Sequence, residues 1–293
     1  MNVQGLMRWK TVDARKVAEI VKLADRENLE LVAVQETWFW GDEQNELVNS
    51  GLKGSGWTWH GRARRDQKRA AIRGSGGVGL FCKADAGWQA QGGKCDGLIV
   101  AEKGEWRVAC VYFVPANSTR LEHNASLEEK LTEVVHGWAG KNIMVLGDGN
   151  GRFGNMASSI LMEAGGGGRE DMVDEIRFDR SNRDHKRNAQ GEWLVKLMDS
   201  LQLVVVNGLN DRPMEHTHVG GRGHSVVDFV AVSSGLVSKE SGVAVVEDSD
   251  VSVGSDHRLI IASDPAWKFK QAKWSLKSAV EMEAEKWPRR QGD

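Results

Sequence analysis

Apolar residues along this chain fall mostly in short runs and alternations bounded by Gly, Asn, Asp and Pro, a pattern of strands more than of long helices. Residues 29–36 (LELVAVQE), 77–83 (GVGLFCK), 98–102 (LIVAE), 106–114 (WRVACVYFV), 142–148 (NIMVLGD), 203–207 (LVVVN), 226–232 (VVDFVAV) and 258–262 (RLIIA) read as strands. Lys103-Gly104 lies between two of them and predicts a hairpin. Helical spacing is rarer. Val17, Ile20, Val21 and Ala24 share one face of a helix that Thr11 can cap and that ends near Asn28. SLEE at 126–129 has capping-box spacing and predicts a helix running to about Trp138, and a third helix is read near 192–201.

Four glycines at 165–168 cannot hold regular structure cheaply and predict a surface loop. Strand patterning resumes beyond them, so they mark no boundary. After Ser263 the pattern turns to lysine, glutamate and tryptophan without strand periodicity. The reading is one domain over 1–263 and a basic, Trp-containing tail or linker over 264–293, partly helical from Ser278 to Lys286. Many short strands with few helices predict two packed sheets with helices outside.

Composition narrows the function. A chain of 293 residues can bury a sizeable core, and its formal net charge of −2 argues against a partner held by bulk basicity. No apolar run reaches the roughly 18 residues of a membrane span, and residues 1–10 lack the apolar stretch of a signal peptide. Three cysteines are too few for a disulfide framework, which favours a reducing compartment. Local basic stretches exist nonetheless, at Arg62, Arg64, Arg65, Lys68, Arg69 and Arg73, and at Arg177, Arg180, Arg183, Lys186 and Arg187. Either is a solvated loop or a track for a phosphate backbone. Twelve tryptophans accompany a single tyrosine, Tyr112.

Polar clusters recur at strand ends: Gln35-Glu36-Thr37, Gly147-Asp148-Gly149-Asn150, Ser225 to Asp228, and Ser255-Asp256-His257. Singly, each reads as a solvated strand end or a turn. Together, acids, amides and a histidine at the ends of buried strands are groups that a scaffold can converge.

In chain order, Asn2 in NVQGL, Glu36 in QETW, Tyr112 in VYFVP, GDGN at 147–150, SVVDF at 225–229 and GSDH at 254–257 resemble the endonuclease/exonuclease/phosphatase family, which includes DNase I, apurinic endonucleases and inositol phosphatases. The resemblance spans Asn2 to about Ala262. Within the family the chain is most similar to the endonuclease domains of LINE-type (non-LTR) retrotransposons, through GDGNGRFG, Asn207-Gly208, Thr217-His218 and KWSLKSA at 273–279.

That resemblance implies an α+β, DNase I-like fold: a four-layer α/β-β/α sandwich of two packed mixed sheets with outer helices. It implies Mg²⁺, with Mn²⁺ able to substitute, on Glu36 as direct ligand, with Asn2 and Asp256 as close or water-mediated partners. Asp148 would orient or deprotonate the attacking water, and Asn150 would hold the phosphate or that aspartate. His257 would serve a non-bridging phosphate oxygen, Asp228 would fix its tautomer, and Tyr112 would place its hydroxyl on the phosphate. Arg65, Asn188 in RNAQG and His218 are the substrate-binding candidates. Met1 directly precedes Asn2, so the first strand is expected to be short, and Gly149 stands where the family has a bulkier residue, predicting a looser loop.

The function implied is a Mg²⁺-dependent DNA endonuclease of retrotransposon type that nicks duplex DNA to leave a 3′-hydroxyl. It would belong to a larger reverse-transcriptase polyprotein and work inside the cell, in the nucleus for a DNA endonuclease, with the cytoplasm left open. No membrane partner is expected, and no protein partner can be identified. Two alternatives stand beside it. One is a host phosphodiesterase of the same fold, acting on abasic sites, RNA or inositol phosphates. The other is a catalytically dead domain that binds nucleic acid or protein.

Overall fold

The computed structural model describes residues 1–8, 11–63, 76–92, 95–118, 120–163, 173–209, 213–221, 223–246 and 254–263. The predicted tail over 264–293, the glycine loop at 165–168 and the basic residues from Arg64 to Arg73 lie outside them.

Two short strands, β1 (Met7–Arg8) and β2 (Thr11–Val12), pair before helix α1 (Ala14–Arg26). The cap of α1 is Asp13, whose carboxylate accepts from the Arg15 and Lys16 amides, while Thr11 lies in β2 and donates to the Arg8 carbonyl. Asp13 wins because ionised oxygen accepts more strongly than a hydroxyl. Next come β3 (Leu31–Gln35), α2 (Asp42–Gly51), β4 (Trp57–Arg62), β5 (Val78–Lys83), β6 (Gln89–Gln91), β7 (Leu98–Lys103) and β8 (Trp106–Tyr112). Helix α2 escaped the sequence pattern because it buries only Val48, and β4 because its anchors are Trp57 and Trp59 with polar residues between.

Helix α3 (Leu121–His136) starts a turn before the Ser126 capping box. Asn124, in its first turn, exchanges hydrogen bonds with both the amide and the carbonyl of Val114 and docks that turn on the end of β8. The tertiary contact therefore replaces the local cap. The remaining elements are β9 (Asn142–Asp148), the β10 (Ser158–Glu163) and β11 (Val173–Phe178) hairpin, α4 (Ala189–Ser200), β12 (Leu203–Val205), the β13 (His218–Gly220) and β14 (Gly223–Ser225) hairpin, β15 (Asp228–Ser233), and the pair β16 (Gly242–Val245) and β17 (Ile260–Ser263).

One sheet runs β12-β15-β9-β8-β7-β6, antiparallel except for the parallel pair β8 and β9. A second runs β3-β5-β4, and Asn2 bridges in parallel to Gln35 at its β3 edge. Strand alternation sorts the side chains into layers. Val32, Val34, Trp57, Trp59 and Phe81 pack under α1 and α2 with Val17, Ile20, Val21 and Val48. Ala33, Val78, Leu80 and Cys82 face Ile99, Ala101, Cys110 and Tyr112 between the sheets. Ala109, Val111, Val145 and Phe229 pack against Leu127, Leu131, Leu194 and Met198 of α3 and α4. The order is helices, sheet, sheet, helices, the four-layer α+β sandwich expected. Three of the tryptophans, Trp57, Trp59 and Trp106, are buried in it. Among the described residues no helix is long and apolar enough to cross a membrane.

Candidate active site

Strand register builds the floor of the site. Tyr112, at the end of β8, is level with Asp148 at the end of β9, and Asp148 lies directly opposite Asp228 at the start of β15. Three polar side chains thus stand in a row across one sheet edge, and all three are buried. The Asp228 end is held by Asn207, which donates to the Asp228 carbonyl and accepts from the Val230 amide, and by the Thr217 hydroxyl, which accepts from the Val227 and Asp228 amides.

The second sheet supplies the opposite wall. Gln35 ends β3, and Glu36 follows with φ of 56°, turning its carboxylate toward the first sheet. Tyr112 donates its hydroxyl to Glu36 Oε1 at 2.6 Å, and Trp38 donates its indole N–H to Oε2 at 3.2 Å. Gly5 makes room for that indole: at φ of 90°, a Cβ there would stand 2.2 Å from the Trp38 ring. Residues 1–3 run beside β3, with the Val3 amide donating to the Gln35 carbonyl. The pairing is short, as expected, and it sets Asn2 inside the site.

Asn2 Nδ2 donates to Asp148 Oδ2 at 2.9 Å, and the Asn150 amide donates to Asp148 Oδ1 at 2.8 Å. Asn150, at φ of 47°, anchors its own side chain on the Phe113 carbonyl. The loop between them is tied down, contrary to the looser loop expected at Gly149. The Gly149 amide donates to the Val227 carbonyl and its own carbonyl accepts from Gln190. The smaller side chain here accommodates Leu194 of α4, whose Cδ2 would lie 2.6 Å from a Cβ.

His257 Nδ1 stands 2.9 Å from Asp228 Oδ2. Ser255 steers the loop that carries it, donating its hydroxyl to the Asn2 carbonyl and accepting the His257 amide. Asp256, partly exposed, bonds the Gln4 side-chain amide through Oδ1 and lies 3.1 Å from His218 Nε2 through Oδ2. The His218 and His257 rings meet edge to face at 4.9 Å.

Electrostatics set the proton positions. Burial alone would lower the His257 pKa, but the Asp228 carboxylate overrules it and raises the imidazole to about 9. Burial would likewise lift Asp228, yet the His257 charge and hydrogen bond hold it below its ordinary value. Asp148 has no such cation in contact; burial, with Asp228 opposite, pushes it up to about 7, although His257, Asn2 and Asn150 pull the other way.

Tyr112, Asp148, Asn150, Asp228, His257, Asn2, Glu36, Asp256 and His218 are therefore brought together where the ends of the two facing sheets meet. Among the described residues, two groups offer three ligand atoms within 4.8 Å of one another: Asp148, Asp228 and His257, and His218, Asp256 and His257. Glu36 belongs to neither. Asn188 is used elsewhere, as the cap of α4, its side chain accepting from the Gly191 and Arg152 amides. Arg65 lies outside the described residues. In the second basic cluster Arg180 is buried over the Phe153 ring, while Arg177, paired with Asp179, Arg183, paired with Glu215, Lys186 and Arg187 are exposed. Sequence reasoning missed Gln4 and Trp38, each a neighbour of a motif residue, and the Arg152–Asp184 pair, whose carboxylate also accepts from the Val226 amide beside Asp228.

No protein-family model and no curated protein matches the chain. Solved structures do. A 3′ phosphatase, NExo, from Neisseria, bound to a product DNA hairpin, superposes with a TM-score of 0.58 at 16% identity, over 87% of this chain and 96% of that one. The endonuclease domain of TRAS1, a telomere-specific non-LTR retrotransposon, gives 0.53 at 16% identity over 92% and 97%. An AP endonuclease from Archaeoglobus fulgidus gives 0.55 at 12% identity over 87% and 96%. The chain has the DNase I-like fold of these proteins.

Proposed function

We propose that this chain is a metal-dependent DNA endonuclease of retrotransposon type, hydrolysing a phosphodiester in duplex DNA to leave a 3′-hydroxyl. The observation that carries the reading is the convergence of the His257–Asp228 pair and the Asp148 carboxylate on one sheet edge, 2.9 Å from Asn2 on the facing wall. The fold shared with a DNA-bound phosphatase, a retrotransposon endonuclease domain and an AP endonuclease supports it. The retrotransposon type rests on the strings GDGNGRFG, Asn207-Gly208 and Thr217-His218. Such a protein acts in the nucleus, within a larger polyprotein that supplies reverse transcriptase.

Asp148, with a pKa of about 7, is poised to take a proton from a water while Asn2 and the Asn150 amide fix its orientation. His257, kept charged by Asp228, donates its free Nε2–H to the negative charge that grows on the phosphoryl oxygens. Tyr112, held by Glu36, positions its hydroxyl beside them.

The donor set fits a hard divalent cation. Each Glu36 oxygen accepts one hydrogen bond and retains a lone pair, and Asp256 keeps lone pairs on a partly exposed carboxylate. One or two carboxylates with retained waters suit Mg²⁺, and Mn²⁺ shares that preference. Asn2 is engaged at both ends, by Asp148 and by the Gln4 amide, and so positions Asp148. When bound, the cation supplies Lewis-acid stabilisation of phosphoryl charge.

The test is one panel of supercoiled plasmid, abasic duplex, 3′-phosphate duplex, RNA and inositol phosphate, each with Mg²⁺ or with chelator. Plasmid nicking with Mg²⁺ is expected, reduced by roughly 10²–10⁴ in Asp148→Asn and His257→Gln. A folded protein that cleaves no member of the panel is a binding domain, and preferential release of phosphate from an inositol phosphate makes it a phosphatase.

A further inference from the structure

We propose that His218, Asp256 and His257 form a three-ligand site for a borderline transition ion, Zn²⁺ in the first instance, set apart from the carboxylates suited to Mg²⁺ by its two imidazoles and sharing Asp256 with them. His218 Nε2 lies 3.1 Å from Asp256 Oδ2, and His257 Nε2 lies 3.9 Å from Asp256 Oδ1. One donor atom from each of the three residues lies within 4.8 Å of the other two, and adjacent ligands of a tetrahedral zinc with bonds of about 2.0–2.1 Å are about 3.4 Å apart, so modest side-chain shifts bring the set onto one ion. Two imidazoles and one carboxylate select zinc over magnesium, which prefers oxygen alone.

The surrounding bonds orient the donors. His257 turns Nδ1 to Asp228 at 2.9 Å, which leaves Nε2 toward Asp256 and reproduces the carboxylate–histidine–metal arrangement. His218 Nδ1 lies 3.5 Å from the Ser225 hydroxyl, a partner for the opposite ring nitrogen when Nε2 binds metal. Gln4 bonds Asp256 Oδ1 and fixes that carboxylate. Both His218 and Asp256 are partly exposed, giving an ion a path in and a fourth position for water or a phosphate oxygen.

The consequence rests on the nuclease reading above. An ion held here takes His257 Nε2 and Asp256 away from the phosphodiester, so Zn²⁺ inhibits where Mg²⁺ supports. The site itself is tested without activity. The chelated protein is titrated with Zn²⁺ against a chromophoric chelator, and with Co²⁺ by its visible absorption, in wild type, His218→Asn and His216→Asn. One equivalent bound by wild type and by His216→Asn, weakened at least about ten-fold in His218→Asn with unchanged circular dichroism, is the expected result. Binding that ignores His218, or no stoichiometric binding by folded wild type, overturns the site. Should His218→Asn fail to fold, His218→Gln and the Co²⁺ spectrum of wild type decide: absorption bands of four- or five-coordinate Co²⁺ support the site, and an octahedral spectrum refutes it. In the nicking assay, Zn²⁺ at the occupancy fixed by that titration suppresses Mg²⁺-supported cleavage. Full cleavage by the zinc-loaded protein overturns the inhibition. A protein that binds Zn²⁺ through His218 but cleaves nothing retains the site and loses the nuclease reading.

Discussion

Asp148 and Asp228 sit directly opposite each other on neighbouring antiparallel strands, both fully buried. Like charges in that position repel, and the structure answers by treating the two carboxyls differently. Asp228 keeps its charge against His257, whereas Asp148, without a cation in contact, is raised to about 7. Two chemically equal side chains are thereby split into a charge partner and a group that can take up a proton near neutrality.

Activity should follow a bell-shaped pH profile. The base must be deprotonated, which puts the acid limb near the Asp148 value of about 7, and the imidazole must stay charged, which puts the alkaline limb near about 9. The limbs belong to a coupled set, so they are read as apparent values. Asp228→Asn removes the charge that raises His257 and should draw the alkaline limb down toward ordinary histidine. A kcat/KM profile in both proteins checks this; an unmoved alkaline limb means that His257 is not the titrating group.

The contribution of Asp148 and His257 to metal-free stability should decline as pH rises, against the opposite contributions of the buried N-terminus, His60 and His216. Both Asp148 and His257 have folded values above their ordinary ones, from 3.8 to about 7 and from 6.5 to about 9, so the folded state holds more protons across that range. Their contribution to stability then falls with pH, fully present below each ordinary value and lost as each folded value is passed, and the Asp148 part is isolated as the difference between wild type and the Asp148→Asn variant. Thermal unfolding in chelator from about pH 4 to about pH 9 measures it. Asp148→Asn should flatten the part below about 7.

Tyr112→Phe keeps the ring between the sheets and removes only the hydroxyl that meets Glu36 at 2.6 Å. Stability should drop by about 1.5–3 kcal/mol, the range for a hydrogen bond to a charged acceptor. Nicking should fall by more than the loss of folded protein explains. Equal kcat with wild type assigns the tyrosine to packing alone.

Gly147→Ala tests whether the strand register matters. A Cβ on Gly147 would stand 1.9 Å from the Val111 carbonyl oxygen across the β8–β9 pair. Backbone cannot move aside as a flexible side chain does, so a loss of about 1–3 kcal/mol is expected from overpacking, with Tyr112 and Asp148 displaced. Denaturant unfolding gives the stability, and activity per folded molecule gives the displacement. A fully stable and active variant would mean that the sheet edge accommodates the shift.

The short, alternating apolar runs and the polar residues closing them are legible because strand period and turn chemistry are local properties. Glu36, Asp148, Asp228 and His257 could be singled out from motifs of a few residues each. Asn188 was singled out in the same way, yet it caps α4, because an asparagine before a helix reads alike whether it meets a phosphate or its own backbone. Gln4 and Trp38 carried no signal, since their roles depend on Asp256 and Glu36 being within reach.

By itself the chain's sequence determined which segments alternate, which layers they can cover and which side chains carry chemistry, all consequences of periodicity and residue type. Tertiary structure alone decided that Asn2 meets Asp148 across 146 positions of chain and that His257 meets Asp228 across 29. It also decided which carboxyl is raised and which is paired. Those outcomes come from strand register and burial, and desolvation and charge at a few ångströms cannot be read from residues that become neighbours only when the sheets pack.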